Sequence, residues 1–225
     1  RGTYAGGGAV YRAAMNARDM ILDYASRITG LNRESLRLVY NRETGETEIM
    51  NEAFPDRKLT LRELAYLMRE RNYGTLASTV SYRPISGPPH FTVYFVKVEV
   101  DLETGDYRPL EVVAGADIGT VINPELARGQ ITGGFVMGWS MVKLEDTPYN
   151  PRTGEIVTEY MKIPRSTEVP DLDKFTIFFA STYEPTGPLG AKGLGEGALN
   201  PVAGAIANAI SNSLGVRFYE LPITP

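Results

Sequence analysis

The chain has 225 residues, with 23 basic and 27 acidic side chains, one histidine and no cysteine, and its formal net charge is −4 at pH 7. These counts exclude disulfides, thiolate-bound zinc and cysteine-ligated iron–sulfur clusters within the chain. The acidic balance argues against a nucleic-acid-binding protein, and the lack of an apolar run of about 18 residues argues against a membrane span.

The first third of the chain predicts a loop, two helices and a hairpin. Residues 2–8 are rich in glycine and are typical of a flexible loop, after which apolar residues recur at helical spacing over residues 9–28. Residues 36–40 and 47–50 are typical of two strands joined by a hairpin turn. A capping-box pattern begins a second predicted helix over residues 60–71.

The rest of the chain predicts a second hairpin, two more helices and one more strand. Residues 91–101 and 107–116 predict a long antiparallel hairpin. Helices are predicted over residues 126–144 and 198–214, and a strand over residues 175–180. Helices and antiparallel hairpins alternate without a regular βαβ rhythm. We therefore predict the α+β fold class, with helices packed on antiparallel hairpins.

The length corresponds to one large domain or two small ones, at about 100–200 residues per domain. We treat residues 1–225 as one domain, with subdomains over residues 1–115 and 116–225. Because the chain begins at Arg1, inside a motif and without an initiator methionine, we expect a fragment or a separate small subunit of a larger assembly.

The most informative segment is a glycine-rich loop over residues 187–197, which leads into the last predicted helix. Such a loop suits close approach of backbone amides to an anion, although its composition is equally compatible with a plain connection. It matches neither a Walker A loop nor a dinucleotide fingerprint. Glu196 in this loop is either a surface residue that complements the helix dipole or a desolvated general base with a raised pKa.

A second segment of interest is the glycine-containing helix predicted over residues 126–144. Gly129, Gly133 and Gly134 should each cost about 1 kcal/mol relative to alanine in a helix interior. Such residues are tolerated where another backbone or a ligand must approach closely, and both interpretations remain open. Gln130 carries donors and an acceptor that can bind a flat heterocycle.

Two other polar residues have less specific contexts. His90 follows two prolines and precedes a predicted strand, which is typical of a hydrogen-bonded loop residue. Glu184 precedes Pro185, which favours an extended loop, so Glu184 is a weaker carboxylate candidate than Glu196.

Taken together, these segments resemble the molybdenum hydroxylases, the family of xanthine dehydrogenase, aldehyde oxidase and bacterial relatives such as carbon monoxide dehydrogenase. The resemblance is to the second half of their molybdopterin-binding subunit. It covers nearly the whole chain, and its motifs occur in family order and spacing. They lie at residues 1–9, 117–134, 160–164 and 187–196.

The resemblance implies the second molybdopterin-binding domain of this family. Its molybdenum is held by the pterin dithiolene and by no protein ligand, and a prokaryotic source would suggest the cytosine dinucleotide form. Glu196 matches the family's catalytic general base, and Gln130 matches a glutamine that hydrogen-bonds the pterin. Lys192 is either a partner for a cofactor phosphate or a solvated lysine. The other implied cofactor-binding residues are Gly2, Thr3, Tyr4, Gly193, Leu194 and Gly195.

The implied function is that of one part of a cytoplasmic, multisubunit molybdenum-dependent hydroxylase or dehydrogenase. Its substrate would be an aldehyde or an N-heterocycle. The expected partners are the N-terminal half of the molybdopterin subunit and the domains or subunits that carry iron–sulfur clusters and FAD. We expect this chain to be inactive alone. The alternatives are a non-catalytic cofactor-docking or assembly module and a nucleotide-binding module built on the glycine-rich loops.

Overall fold

The computed structural model describes residues 2–157 and 174–225, and the chain divides into two compact units. The small unit is Ala5–Arg83, and the large unit combines Arg1–Tyr4 with Pro84–Pro225. The units do not separate between residues 115 and 116, where the sequence suggested a division, because a continuous strand of the large unit passes through that position.

The small unit packs two helices on a three-stranded antiparallel sheet. The predicted helix, hairpin and capping box are all confirmed. Gly30 ends the first helix in the left-handed conformation (φ 72°), and Thr60 and Glu63 exchange the hydrogen bonds of a capping box. The elements are α1 (Gly7–Thr29), β1 (Leu36–Asn41), β2 (Glu46–Asn51), β3 (Lys58–Thr60) and α2 (Leu61–Glu70).

The opening glycine-rich segment is not the flexible loop that its composition suggested. Gly2–Gly6 form a π-helical turn that continues directly into α1. Tyr4 within this turn is only 8% exposed. The buried Tyr4 ring anchors the turn, and the glycine content of the segment gives no indication of this.

The large unit contains the second sheet and two further helices. Among the described residues, no helix has the length and apolar character needed to cross a membrane. The elements of the large unit are β4 (Phe91–Val100), β5 (Tyr107–Asp117), α3 (Pro124–Lys143), β6 (Lys174–Phe179) and α4 (Val202–Leu214).

The sheet of the large unit is mixed, in the order β4-β5-β6. β4 and β5 form the predicted antiparallel hairpin, but β6 pairs with β5 in parallel, with Val113 opposite Thr176. The sequence predicted this strand but not its partner or its direction. The chain makes a crossover through α3 between β5 and β6, and such a connection allows two strands to run in parallel.

The core of the large unit lies among this sheet, α3 and α4. Val112 of β5, Phe135 of α3 and Ile206 of α4 are each fully buried there. The last helix begins at Val202, four residues later than predicted, after a short 3₁₀ turn over Gly195–Ala198. Pro201 lies just before the helix, where a residue without an N–H group is tolerated.

Two glycines of α3 allow Ala198 and Val202, before and at the start of α4, to pack closely against α3. A Cβ atom at Gly134 would lie 2.8 Å from the carbonyl carbon of Ala198, and one at Gly138 would lie 2.5 Å from Cβ of Val202. Gly129 and Gly133 differ, because a Cβ atom there would meet no other atom within 4 Å. Close packing therefore explains Gly134 and Gly138 but leaves Gly129 and Gly133 unexplained.

This contrast predicts opposite effects for the same substitution. Gly138→Ala should lower the free energy of unfolding by about 1–3 kcal/mol, because the new methyl group overlaps Val202. Gly129→Ala, the matched control, should raise it by up to about 1 kcal/mol, because alanine is the better helix former. Urea unfolding of the two variants measures both effects, and equal changes would contradict the packing of α3 on α4.

Candidate functional site

The candidate site residues all lie in the large unit, on three segments. Tyr4 is buried in the opening turn, and Gly2 and Thr3 beside it are exposed. Gln130 is exposed in the first half of α3. The remaining candidates lie in the loop over residues 187–197.

The loop is held at its base by a short antiparallel pairing with the segment that follows β5. The amide of Thr120 donates to the carbonyl of Gly190 at 2.8 Å, and the amide of Lys192 donates to the carbonyl of Ile118 at 2.7 Å. Between them, a Cβ atom at Gly119 would lie 2.2 Å from the Gly190 oxygen, and Gly119 has φ +66°. Only glycine fits this position, because any side chain at residue 119 would overlap the Gly190 carbonyl.

An ion pair reinforces this pairing. Lys192 Nζ lies 2.8 Å from Asp117 Oδ2, and the two side chains are 10% and 21% exposed. Asp117 also accepts hydrogen bonds from the Thr182 hydroxyl and the Gly119 amide. The hydrogen bond from Lys192, followed by that from Thr182, holds the pKa of Asp117 below its ordinary value. The interpretation of Lys192 as a solvated lysine is therefore wrong, since its ammonium group is largely buried against Asp117.

The opening turn contacts the loop through hydroxyl groups. The Tyr4 hydroxyl lies 2.7 Å from Thr186 Oγ1 and 3.1 Å from Ser86 Oγ. Thr186 donates through both its hydroxyl and its amide to Glu184 Oε1. These hydrogen bonds, supported by the charge of Lys192, hold the pKa of Glu184 below its ordinary value. Glu184 is thus an ionised acceptor just before the loop.

Glu196 lies on the 3₁₀ turn Gly195–Ala198, which rests on Gly134 of α3. Its side chain is exposed. Of the two positions that the sequence left open for Glu196, this chain shows the exposed surface position. The turn itself is well supported, because its last two residues, Gly197 and Ala198, are both buried.

His90 packs against this turn, which sequence reasoning missed. A Cβ atom at Gly197 would lie 1.5 Å from His90 Nε2, so the imidazole fills the space that a larger residue would need. The Thr92 hydroxyl donates to the Gly197 carbonyl at 2.6 Å on the same side. Nothing in the sequence links residues 90 and 197, although a glycine directly after Glu196 indicated a close approach of some kind.

Gln130 lies on an open face of α3. Gly129 and Gly133, the two glycines without packing partners, flank it along the helix. The face therefore presents bare backbone beside an amide side chain. Among the residues that the structure describes, no group of three or more His, Cys, Asp or Glu side chains is placed to hold a metal ion.

A model of a known family matches residues 1–170 and describes a molybdopterin cofactor-binding domain. The chain belongs to this family. The molybdenum-binding subunit PaoC of an aldehyde oxidoreductase from Escherichia coli strain K12 is 31% identical over 220 residues. That match covers 96% of this chain and 28% of PaoC, so the domain spans less than a third of its relative's length.

Solved structures have the same fold as this molybdopterin-binding domain. Quinoline 2-oxidoreductase from Pseudomonas putida 86 is 26% identical, with a TM-score of 0.77 over 100% of this chain and 29% of its own. The Cu,Mo-CO dehydrogenase superposes with a TM-score of 0.78 over 97% of this chain and 28% of its own, at 21% identity. The latter likeness concerns the fold alone.

These comparisons confirm the resemblance to the molybdenum hydroxylases and the α+β class. The relatives are oxidoreductase subunits, and the motif over residues 160–164 lies within the matched region. That motif, and Arg1, fall outside the residues that the structure describes. The individual roles of the candidate residues remain predictions.

The ion pair in this molybdopterin-binding domain predicts a specific pH dependence of stability. Because the folded-state pKa of Asp117 is lowered, its stabilising contribution is present above the ordinary value of 3.8 and is lost as the pH falls through the folded value. Asp117→Asn should therefore lower the free energy of unfolding at neutral pH. The difference from wild type should shrink below pH 3.8. Urea unfolding across this range measures it, with the exposed Asp56→Asn as control.

The contact between His90 and Gly197 predicts a steric rescue. Gly197→Ala should lower the free energy of unfolding by about 1–3 kcal/mol, because the new methyl group collides with the imidazole. Adding His90→Ala should restore part of that loss. Gly204→Ala, in open space on α4, serves as the control. Thermal unfolding that finds the double variant as unstable as the sum of its single changes would argue against the contact.

Proposed function

We propose that this chain forms part of a molybdenum-dependent hydroxylase or dehydrogenase, in which Glu196 is the general base for hydroxylation of an aldehyde or an N-heterocycle. Its partners are the remainder of a molybdopterin-binding subunit and the domains or subunits that carry iron–sulfur clusters and FAD. The name of PaoC as a molybdenum-binding subunit supports this assignment, as does the family match.

One observation carries the proposal. The turn that presents Glu196 rests directly on α3, the helix that presents Gln130, through the contact between Ala198 and Gly134. The loop before Glu196 is tied to the Tyr4 turn through Thr186. Three motifs that are far apart in sequence therefore meet in one unit, as a shared cofactor site requires.

The residues fit a large, flat cofactor. Gly2 and Thr3 are exposed beside the buried Tyr4, and the face around Gln130 has no side chain at positions 129 and 133. We assign the pterin contacts to these residues and to the backbone of Lys192–Gly195, while the Lys192 ammonium stays with Asp117. Bound molybdopterin, in its cytosine dinucleotide form by analogy with bacterial enzymes of the family, supplies the two-electron redox chemistry.

The role of Glu196 is to accept a proton at its carboxylate during the reaction. A general base works best when its pKa lies near the operating pH, and desolvation is the usual way to raise a carboxylate to that range. Glu196 is exposed in this chain, so the proposal requires the rest of the subunit to cover it. The chain is accordingly expected to be inactive alone.

The test is Glu196→Gln in the complete assembly. Turnover of an aldehyde or heterocyclic substrate should fall by about 100-fold or more, since the amide cannot accept the proton. Molybdenum content and the thermal unfolding midpoint should not change. Glu103→Gln, at an exposed hairpin turn, should leave turnover at the wild-type level.

Near-normal turnover of the Glu196→Gln assembly would contradict the role of Glu196. If the wild-type assembly purified with molybdenum but showed no oxidoreductase activity towards any substrate class, the chain would instead be a cofactor-docking module. Binding of ATP or NAD by the chain in calorimetric titration would favour a nucleotide-binding module.

A further inference from the structure

We infer that Thr186 and Glu184 are positioning residues that hold the opening turn, through Tyr4, against the loop that leads to Glu196. The inference rests on the proposed function, because it concerns how the cofactor-binding segments of that site are kept together. Tyr4 and Thr186 are 182 residues apart in sequence, and their hydroxyl oxygens are 2.7 Å apart.

The direction of the hydrogen bonds follows from the number of protons available. A threonine hydroxyl has a single proton, and that of Thr186 points to Glu184 Oε1 at 2.5 Å. The Thr186 oxygen can then only accept from Tyr4, so the Tyr4 hydroxyl donates to it. The Ser86 hydroxyl lies 3.1 Å from the Tyr4 oxygen and 3.0 Å from the Thr186 oxygen, so it contacts both of these hydroxyls.

The backbone of Glu184 is bonded to the loop, in addition to the bond between its carboxylate and the Thr186 hydroxyl. Its amide donates to the Gly190 carbonyl at 3.0 Å, and its carbonyl accepts from the Gly187 amide at 3.1 Å. Gly190 is the same residue whose carbonyl accepts from Thr120 at the base of the loop. The backbone of Glu184, whose carboxylate binds Thr186, is therefore bonded to the same Gly190 carbonyl that joins the loop to Thr120.

The Tyr4 ring adds a steric contact to this hydrogen bond. A Cβ atom at Gly187 would lie 3.2 Å from Tyr4 Cε2 and 1.9 Å from the Ala191 oxygen. The ring therefore lies against the loop where no side chain fits. A buried tyrosine ring whose hydroxyl is hydrogen-bonded has one favoured position, and Gly2 and Thr3 precede Tyr4 directly.

This arrangement assigns Glu184 a role other than proton transfer. Its Oε1 atom is occupied by two hydrogen bonds from Thr186, and those bonds stabilise its ionised form. Glu184 acts on the cofactor site through Thr186 and Tyr4. We expect its loss to alter how the cofactor is held rather than to remove a catalytic group.

The experiment is a double-mutant cycle with Tyr4→Phe and Thr186→Val in the complete assembly. Each change removes a hydroxyl and preserves the shape of the side chain. Each should lower the urea unfolding midpoint, and the double variant should fall no further than the worse single variant. Thr186→Ser, which keeps the hydroxyl, and Ser213→Ala, which removes an exposed hydroxyl of α4 outside this network, should remain near wild type.

The second readout is retention of molybdenum and pterin after prolonged dialysis, which a purely structural role would not change. Tyr4→Phe, Thr186→Val and Glu184→Gln should each lose the cofactor about fivefold to tenfold faster than wild type, the effect of about one hydrogen bond. Additive losses of stability, or unchanged retention in all three variants, would overturn the inference. A wild-type assembly without molybdenum would contradict the proposed function instead, while the unfolding cycle would still test the coupling.

Discussion

The close approach of residues 118–120 to residues 190–192 is the constraint on which the candidate site depends. Two backbone hydrogen bonds of 2.8 and 2.7 Å join the segments, and Gly119 faces the Gly190 carbonyl where no Cβ atom fits. Because this pairing directly follows the end of β5, the sheet holds the base of the loop in place.

Other contacts of the site build on that pairing. The ion pair of Asp117 with Lys192 lies beside it, and Glu184 binds the same Gly190 carbonyl. Four residues beyond Lys192, the turn that carries Glu196 is supported by His90 on one side and by Gly134 of α3 on another. The loop is thus held along its length, and Glu196 is exposed on a supported turn.

Local patterns in the sequence predicted local structure well. The capping box at Thr60, the left-handed Gly30 and the hairpin of β4 and β5 each depend on neighbouring residues, so their signals are contained in short segments. The motifs also indicated which segments belong together, because the family resemblance supplied an order and spacing that composition cannot.

Features that depend on distant residues could not be predicted in the same way. The parallel pairing of β6, the contact of His90 with Gly197 and the buried position of Tyr4 arise from tertiary packing. The glycines of α3 are a further example. Gly134 and Gly138 are packed against the chain while Gly129 and Gly133 face open space, and the sequence does not distinguish the two pairs. The pairing of Lys192 with Asp117 could not be read from the sequence, because the two residues are 75 positions apart.

Hydrogen–deuterium exchange of the complete assembly tests the central claim, that the loop before Glu196 is fixed to the end of β5. Peptides that contain the Thr120 and Lys192 amides should be protected to a similar degree as β5 itself, since both amides are bonded across the pairing. The exposed turn residues 151–153 should exchange much faster. Exchange of the Thr120 and Lys192 amides at the rate of that turn would contradict the account.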